Sequence, residues 1–390
     1  MGSPNPEVLR WARETAGLSL EEAARRLNMS SKSAVETLVA YEEGVKKPSR
    51  ARLSAMAKQY HRSYLTFFLR RPPERSDRGE DFRTLPGAEP RQYSGVLDAL
   101  VRDIYVRQSL LKEALVETEE DQEISFVGAG SSMPSISTAC RALIEFFGID
   151  VDLFRSQPSP HDAFAYLRTL VEFQGMYVLL IGDLGTHHSK VSTETFRGFA
   201  LSDPVAPFIV VNNYDSKAAW SFTLLHELVH IWLGKTGISG QSYEHVVEKY
   251  CNDVASNLLV SEYELLKLRP SNEEDPIDLL KNISEFTRAY NISGSLVAYR
   301  MFRAGLIDEP VWRKLREEFG RLWFESKQRD REKREGKDNT GNYYNTQRHK
   351  IGPGLIEVVR RSIGEGVLTE TKASKVLGVS SGSVTEMLGA

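Results

Sequence analysis

The segment at residues 221–234, SFTLLHELVHIWLG, constrains the fold of this chain more than any other. Apolar residues occupy nearly every side of the helix it would form, which predicts a helix buried in a core. His226 and His230 lie four residues apart, on one face of that helix. Neutral imidazoles in a buried helix need polar partners, and a metal ion can supply one. The alternative is a core helix that carries two histidines by chance, because a five-residue pattern is weak evidence alone.

Glu227 and a third ligand decide whether such a metal could do hydrolytic work. Glu227 is turned by about 100° from His226, which lets it reach a water molecule beside the ion. A catalytic zinc site needs a third protein ligand. The segment 246–266 predicts a second buried helix, on which Glu248 faces the first helix and Asn252 can orient a histidine. Two neighbouring residues, Glu244 and His245, are the alternative third ligands.

The composition excludes several classes of protein. The chain has 390 residues, 41% of them hydrophobic and 26% charged, which is typical of a soluble globular protein with two or three folded units. Neither an uninterrupted apolar run long enough to span a membrane nor the apolar centre of a signal peptide is present. Cys140 and Cys251 are the two cysteines. They do not form a disulfide framework and favour a cytoplasmic location.

Positive charge is concentrated at the start of the chain. Residues 1–75 hold 14 Lys and Arg against 8 Asp and Glu, a balance of +6 in a chain whose net charge is −3. The same region predicts four short helices, with glycines at 17 and 44 where two of them end. A basic front end on an acidic body indicates a nucleic-acid-binding module.

The remaining chain is predicted to be helical around a small sheet. Helices are expected at 93–118, 134–147 and 161–174, and strands at 176–182, 196–203 and 207–215. The fold class is therefore mainly α with a small β-sheet. The predicted domains are a helical module at 1–75, a linker and helix at 76–130, the domain with the two histidines at 131–325, a charged loop at 326–350 and a small helical tail at 351–390.

The front end resembles the lambda-repressor-like, XRE-type helix-turn-helix domain in GLSLEEAARRLNMS, YEEGVKKPS and LSAMAKQYHRS. The resemblance implies that the third helix enters the major groove while neighbouring residues meet phosphates. The residues that would face bases are Ser31, Lys32, Ser33, Ala34 and Thr37. Those that would contact phosphates are Arg26, Lys46, Lys47 and Arg50. Because the third helix is poor in Arg, Asn and Gln, the module could instead dock a partner protein.

Residues 208–261 resemble the ImmA/IrrE family of zinc metallo-endopeptidases in PFIVVNN, SFTLLHELVHIWLG and EKYCNDVASNLLVS. RGFAL at 197–201 matches the strand before the site in that family. The resemblance implies a zincin-like domain that binds Zn²⁺ through His226, His230 and Glu248, with Glu227 as the catalytic carboxylate and Asn252 beside the ligands. The donor that stabilises the oxyanion stays open between Tyr243, His245, His187 and His188.

The combined resemblance implies a cytoplasmic regulator that binds operator DNA and cleaves or grips one protein, such as a repressor or a toxin that it neutralises as an antitoxin. Self-association into a homodimer would match a two-fold operator. The alternative is a non-catalytic DNA-binding transcription factor or antitoxin, in which the zinc pocket is structural or senses a ligand.

Overall fold

The structure is a computed structural model that describes residues 3–29, 33–73, 95–185, 189–235, 241–268, 276–334 and 342–389. At 241–245, 276–277, 330–331 and 333–334 it describes the backbone alone. The chain divides into two compact units, one of Met1–Tyr105 with Asp183–Phe196 and the other of Val106–Gly182 with Arg197–Ala390.

The first unit begins with a bundle of short helices, α1 (Pro6–Thr15), α2 (Leu20–Arg26), α3 (Ala34–Glu42) and α4 (Arg50–Gln59), followed by a 3-10 turn at Tyr64–Phe68. Side chains of Asn5, Ser19 and Ser49 cap the first, second and fourth helices, as N-cap residues of these types commonly do. Their apolar faces enclose Leu9 and Leu38, which are fully buried. The predicted helical front end is confirmed.

A buried ion pair joins α1 to α3 in this bundle. Arg13 Nε and Nη2 donate to the two carboxylate oxygens of Glu42 at 2.7 and 2.9 Å, and Nη1 donates to the carbonyl of Leu18. The side chains of Arg13 and Glu42 are only 10% and 4% exposed. The hydrogen bonds that Arg13 donates to Glu42 raise the pKa of Arg13, so the guanidinium stays charged although it is buried.

The second unit is built from helices on either side of a small sheet. The helices before the sheet are α5 (Gly95–Glu117), α6 (Ile136–Phe147), α7 (Val151–Arg155) and α8 (Pro160–Phe173), and the boundary between the two units falls within α5. The strands are β1 (Tyr177–Leu180), β2 (Gly198–Leu201) and β3 (Phe208–Val211). Helices α5, α6 and α8 and the three strands lie where the sequence predicted them, whereas α7 was not predicted.

The three strands have the order β1-β3-β2. Strand β1 pairs parallel with β3, with Val178 opposite Ile209, and β2 pairs antiparallel with β3, with Phe199 opposite Val210. Strands β1 and β3 are buried throughout, which explains why they are continuous apolar runs in the sequence. The sheet thus lies inside the core on which the histidine helix packs.

Two long helices follow the sheet, α9 (Lys217–Trp232) and α10 (Gln241–Leu259). The prediction of one helix over 246–266 is wrong at its end. Helix α10 stops at Leu259, and a separate helix, α11 (Glu262–Leu265), follows it. A capping box between Ser261 and Glu264 explains the break, since Ser261 and Glu264 bond each other's backbone N–H. A 3-10 turn at Leu266–Leu268 completes this segment.

Helices α12 (Pro276–Tyr290), α13 (Gly294–Arg303) and α14 (Glu309–Arg334) precede a tail of α15 (Tyr343–Ile351), α16 (Pro353–Gly364), α17 (Glu370–Leu377) and α18 (Val384–Leu388). The predicted charged loop at 326–350 is wrong for 326–334, which belongs to α14, and for 343–350, which belongs to α15. Asn342 caps α15, and the helix packs against β1, a tertiary contact that the mixed charge pattern does not reveal.

The described residues confirm the fold class, which is mainly α with a small β-sheet. None of the described helices is both long and apolar enough to cross a membrane.

Replacing Glu42 with alanine should destabilise the N-terminal bundle by about 3 kcal/mol, because it leaves the Arg13 guanidinium buried without its partner. Hydrogen exchange of α1 and α3 peptides in the full chain measures this. The matched control is Glu43→Ala, which removes the exposed carboxylate next in the chain. Equal exchange rates in the two variants would contradict a stabilising role for the ion pair.

Candidate functional site

The centre of the second unit is helix α9, which carries the two histidines. Leu224, Leu225, Leu228 and Val229 on this helix are fully buried. Burial on all sides fixes the helix between β2, β3, α8 and α10, all of which contact it. The polar side chains of α9 therefore sit inside the core and must be satisfied there.

Helix α10 brings a carboxylate to the two imidazoles. The Nε2 atoms of His226 and His230 lie 3.1 Å apart. Glu248 places Oε2 3.3 Å from the Nε2 atom of His226, and Oε1 3.1 Å from that of His230. The three residues offer ligand atoms that all lie within 4.8 Å of one another. The structure therefore brings together the three residues that the sequence predicted as ligands.

The chemistry of these donors fits a divalent metal ion. Tetrahedral zinc with Zn–N bonds of about 2.0–2.1 Å separates two nitrogen ligands by about 3.3 Å. The two imidazole nitrogens lie close to that separation at 3.1 Å, and both point at the carboxylate rather than at backbone groups. The three side chains are 13%, 9% and 29% exposed, so the group is largely shielded from water. These three residues therefore form a group that could hold a divalent metal ion.

The charges of the group reinforce one another. Burial lowers the pKa of His226, but the hydrogen bond and the negative charge of Glu248 outweigh it, and the net shift is upward. Burial would raise the pKa of Glu248, yet its hydrogen bonds to the two histidines hold that pKa far below its usual range. Glu248 is consequently an ionised carboxylate, which is the form that binds a cation.

Glu227 is a buried acid beside this group, with only 6% of the residue exposed. Burial raises its pKa, against the opposing charges of His226 and His230. A carboxyl group whose pKa is raised holds a proton more readily than an ordinary glutamate, which suits a group that accepts and returns a proton. The position matches the role of general base that the sequence predicted.

Gly198, the first residue of β2, leaves room for Glu227. A Cβ at this position would lie 2.5 Å from the methyl carbon of Thr223, 2.9 Å from Oε1 of Glu227 and 3.0 Å from the carbonyl of Val210. Only glycine fits this close approach of the strand to the helix. RGFAL at 197–201 was matched to a family strand, but no role was predicted for Gly198. A glycine inside a strand is itself a sign of close packing.

Asn252 lies one turn of α10 beyond Glu248, as predicted. Its amide contributes to raising the pKa of His226. Nδ1 of His226 is nevertheless a buried atom without a hydrogen bond of normal geometry. The predicted role of Asn252 in orienting the ring therefore stays a prediction.

Helix α10 is held in place by a network that the sequence analysis missed. Asp253 accepts hydrogen bonds from the hydroxyl of Tyr299 at 3.1 Å and from Arg303 at 3.0 and 2.6 Å. The hydroxyl of Tyr250 donates to the carbonyl of Pro134 at 2.7 Å. These bonds connect α10 to α13 and to the segment before α6, and so fix the direction from which Glu248 approaches. The sequence did contain one sign of this network, because Asp253 is an acidic residue in a helix predicted to be buried.

Most of the predicted DNA-contacting residues lie on the surface of the N-terminal bundle. Five of them are exposed: Arg26, Ser33, Lys46, Lys47 and Arg50. Thr37 is half-buried, whereas Ala34 is only 6% exposed. Ala34 cannot face a base because it packs in the core of the bundle, so this prediction is wrong.

Several candidates cannot be placed. Ser31, Lys32, His187 and His188 lie outside the residues that the structure describes. The side chains of Tyr243, Glu244 and His245 are also outside them. The alternative third ligands and the oxyanion donor therefore stay predictions.

Gly198→Ala should lower the stability of the second unit by about 1–3 kcal/mol, because the new methyl group overpacks against Thr223 and Glu227. Thermal unfolding of the full chain measures the loss. A second variant, Gly198→Ala with Thr223→Ser, removes the methyl carbon that lies nearest and should regain part of it. Gly364→Ala, in open space, is the control. An unchanged unfolding temperature for Gly198→Ala would contradict the close packing.

Comparison with known families agrees with this geometry. The family model described as "IrrE N-terminal-like domain" matches residues 181–302, which include α9, α10 and Tyr299 of α13. A family model described as "Helix-turn-helix" matches residues 9–67. No curated protein and no solved structure gives a significant match. The resemblance stated from the sequence is thereby confirmed for these two segments: residues 181–302 match the IrrE-type peptidase family, and residues 9–67 match a helix-turn-helix domain of the expected kind.

Proposed function

We propose that this chain is a DNA-binding regulator whose second unit is a zinc-dependent endopeptidase of narrow specificity. The observation that supports this best is the convergence of His226, His230 and Glu248 within 4.8 Å, with the buried carboxyl of Glu227 next in the chain to the first ligand. Residues 1–75 are the DNA-binding part and residues 131–325 the peptidase part in this proposal. Both cysteines are free thiols, in keeping with a cytoplasmic protein.

The proposed chemistry divides the work between the ion and the protein. When bound by the three residues, Zn²⁺ would polarise a peptide carbonyl and lower the pKa of a water molecule toward 7. His226, His230 and Glu248 would hold the ion. Glu227 accepts the proton of the attacking water and returns it to the departing amine. Burial raises the pKa of Glu227, which supports this exchange of a proton.

The substrate that we propose is a single regulatory protein, a repressor or a toxin that the chain inactivates as an antitoxin. This follows from the coupling of the two domains, because a DNA-binding domain places the peptidase at a promoter. A second copy of the chain would allow the helix-turn-helix domain to occupy both halves of a two-fold operator.

Two variants separate metal binding from catalysis. Glu248→Ala should reduce bound zinc from about one per chain to nearly none, because a two-histidine remnant lacks the third ligand. Glu227→Gln should keep the zinc and lower cleavage of the partner by about 10²–10⁴-fold, because the amide cannot accept a proton. Elemental analysis of the purified chain and incubation with the proteins encoded beside it measure the two effects.

Glu262→Ala, an exposed acid on α11, is the control for both measurements. If the Glu248→Ala variant binds as much zinc as the wild type, Glu248 is not a ligand and the proposed metal site is wrong. A Glu227→Gln variant that still inactivates the partner would reject the peptidase and leave the non-catalytic regulator, with a structural or ligand-sensing zinc pocket.

The DNA-binding part of the proposal predicts a salt-dependent effect. Replacing Lys46 and Lys47 with alanine should weaken binding to a mixed-sequence duplex and lower the slope of log K against log salt by about 2, one per phosphate contact. Lys58→Ala, an exposed lysine at the end of α4, should leave that slope unchanged. Equal slopes for all three proteins would show that DNA does not contact the loop before α4.

A further inference from the structure

The C-terminal tail, defined here as residues 342–389, is fastened to the second unit by buried charged groups. Helix α15 packs against β1, and α16 packs against α8. Strand β1 stands at one side of the described sheet, beside β3. The tail therefore covers an edge whose backbone groups have no strand partner within the described sheet.

Arg168 and Glu172 of α8 connect that edge to the tail. Their side chains are 6% and 3% exposed, and Arg168 Nε donates to Glu172 Oε1 at 2.9 Å. The outward-facing carbonyl of Val178 in β1 accepts a hydrogen bond from Arg168, and the N–H of Val178 interacts with Glu172. The ion pair thus satisfies the backbone groups that a neighbouring strand would otherwise pair.

The other side of the same ion pair holds the junction of α15 and α16. Arg168 Nη1 donates to the carbonyl of His349 at 2.6 Å, and Nη2 lies 3.3 Å from the carbonyl of Lys350. Both carbonyls belong to the last turn of α15, where a helix leaves its acceptors unpaired and carries partial negative charge. Glu172 Oε2 accepts the N–H of Gly354 at 2.8 Å. The ion pair of Arg168 and Glu172 therefore caps the C-terminal end of α15 and the N-terminal end of α16.

Two glycines make this contact sterically feasible. Gly352 has φ of +92°, and a Cβ there would lie 2.2 Å from both Arg168 Nη2 and Glu172 Oε1. A Cβ on Gly354 would lie 2.9 Å from Cβ of Glu172. The sequence IGPG at 351–354 therefore presents a bare backbone to the ion pair.

A second arginine of the body repeats the arrangement at α17. Arg107 of α5 is 8% exposed, and its Nη1 donates to the carbonyl of Leu377, the last residue of α17. Gly378 follows with φ of +67°, and a Cβ there would lie 2.0 Å from Arg107 Nη2. An ion pair between Arg361 and Glu120 lies on the surface of the same contact.

The tail also lies close to the start of α9. His349 of α15 lies 2.7 Å from His161 of α8, Nε2 to Nε2, so one neutral ring accepts from the other. Trp220 lies six residues before His226 on α9. The centroid of its ring is 6.4 Å from that of His349 and 5.4 Å from that of Phe164. Tail, α8 and α9 meet at this tryptophan.

We propose that the tail is an intramolecular clamp, in which two buried arginines, Arg168 and Arg107, cap the ends of tail helices and thereby hold the edge of β1 and the start of α9. The tail is then an integral part of the second unit and not an independently folding appendage. This proposal does not depend on peptidase activity, since it concerns only how the tail packs against β1, α8 and α9.

Three glycine variants of the full chain test the clamp, with hydrogen exchange as the measurement. Gly352→Ala and Gly378→Ala each place a methyl group against an arginine side chain, at a position whose backbone φ is positive. Gly366→Ala, in the same tail, has φ of +78° but nothing within 4 Å of its Cβ, so it carries the backbone strain alone. Gly352→Ala should speed exchange at least tenfold in α15, in β1 and in the first half of α9, and Gly366→Ala in none of them.

A double-mutant cycle tests the second arginine. Gly378→Ala and Arg107→Ala should each lower the unfolding temperature by several degrees, but the double variant should lose little more than Arg107→Ala, because removing the guanidinium makes room for the methyl group. Additive losses, or faster exchange in Gly352→Ala that stays within the tail and spares β1 and α9, would overturn the clamp. Zinc content and DNA binding are read separately, so failure of the proposed function leaves this test intact.

Discussion

The convergence of two imidazoles and a carboxylate on one point is the interaction on which the second unit depends. Three polar groups are brought into a core of leucine and valine, and each would be costly there without the others. His226 and His230 are held by the repeat of α9, but Glu248 must arrive from a separate helix. The bonds of Asp253 to α13 and of Tyr250 to the segment before α6 fix that second helix, so the site is only as rigid as the packing of α10.

Both units use the same solution for charges inside a core. In the N-terminal bundle, Arg13 and Glu42 join α1 to α3 with two short hydrogen bonds. In the second unit, Arg168 and Glu172 join α8 to β1 and to the tail. A buried charge is tolerated when it has an opposite charge and when its remaining donors meet backbone carbonyls. Where such a pair connects distant segments, loss of one partner loosens several elements together.

Much of the fold followed from local patterns in the sequence. Gly17 and Gly44 marked the ends of two helices correctly, and the apolar runs at β1 and β3 marked buried strands. Errors arose where a contact with a distant segment outweighed the local pattern. Residues 343–350 are charged and were expected to form a loop, but packing against β1 makes them a helix. Ala34 was assigned to the DNA surface, but it is turned into the core of its bundle.

The sequence by itself determined the two histidines on one face of a buried helix, the acid beside the first of them and the helix-turn-helix at the front, because each depends on spacing within a single element. Only the tertiary structure decided that Gly198 leaves room for Glu227, that Asp253 anchors α10 and that Arg168 reaches His349 across 181 residues of chain. Such contacts join segments whose separation in sequence leaves no periodic trace, and they exist only once the packing of the core has brought the segments together.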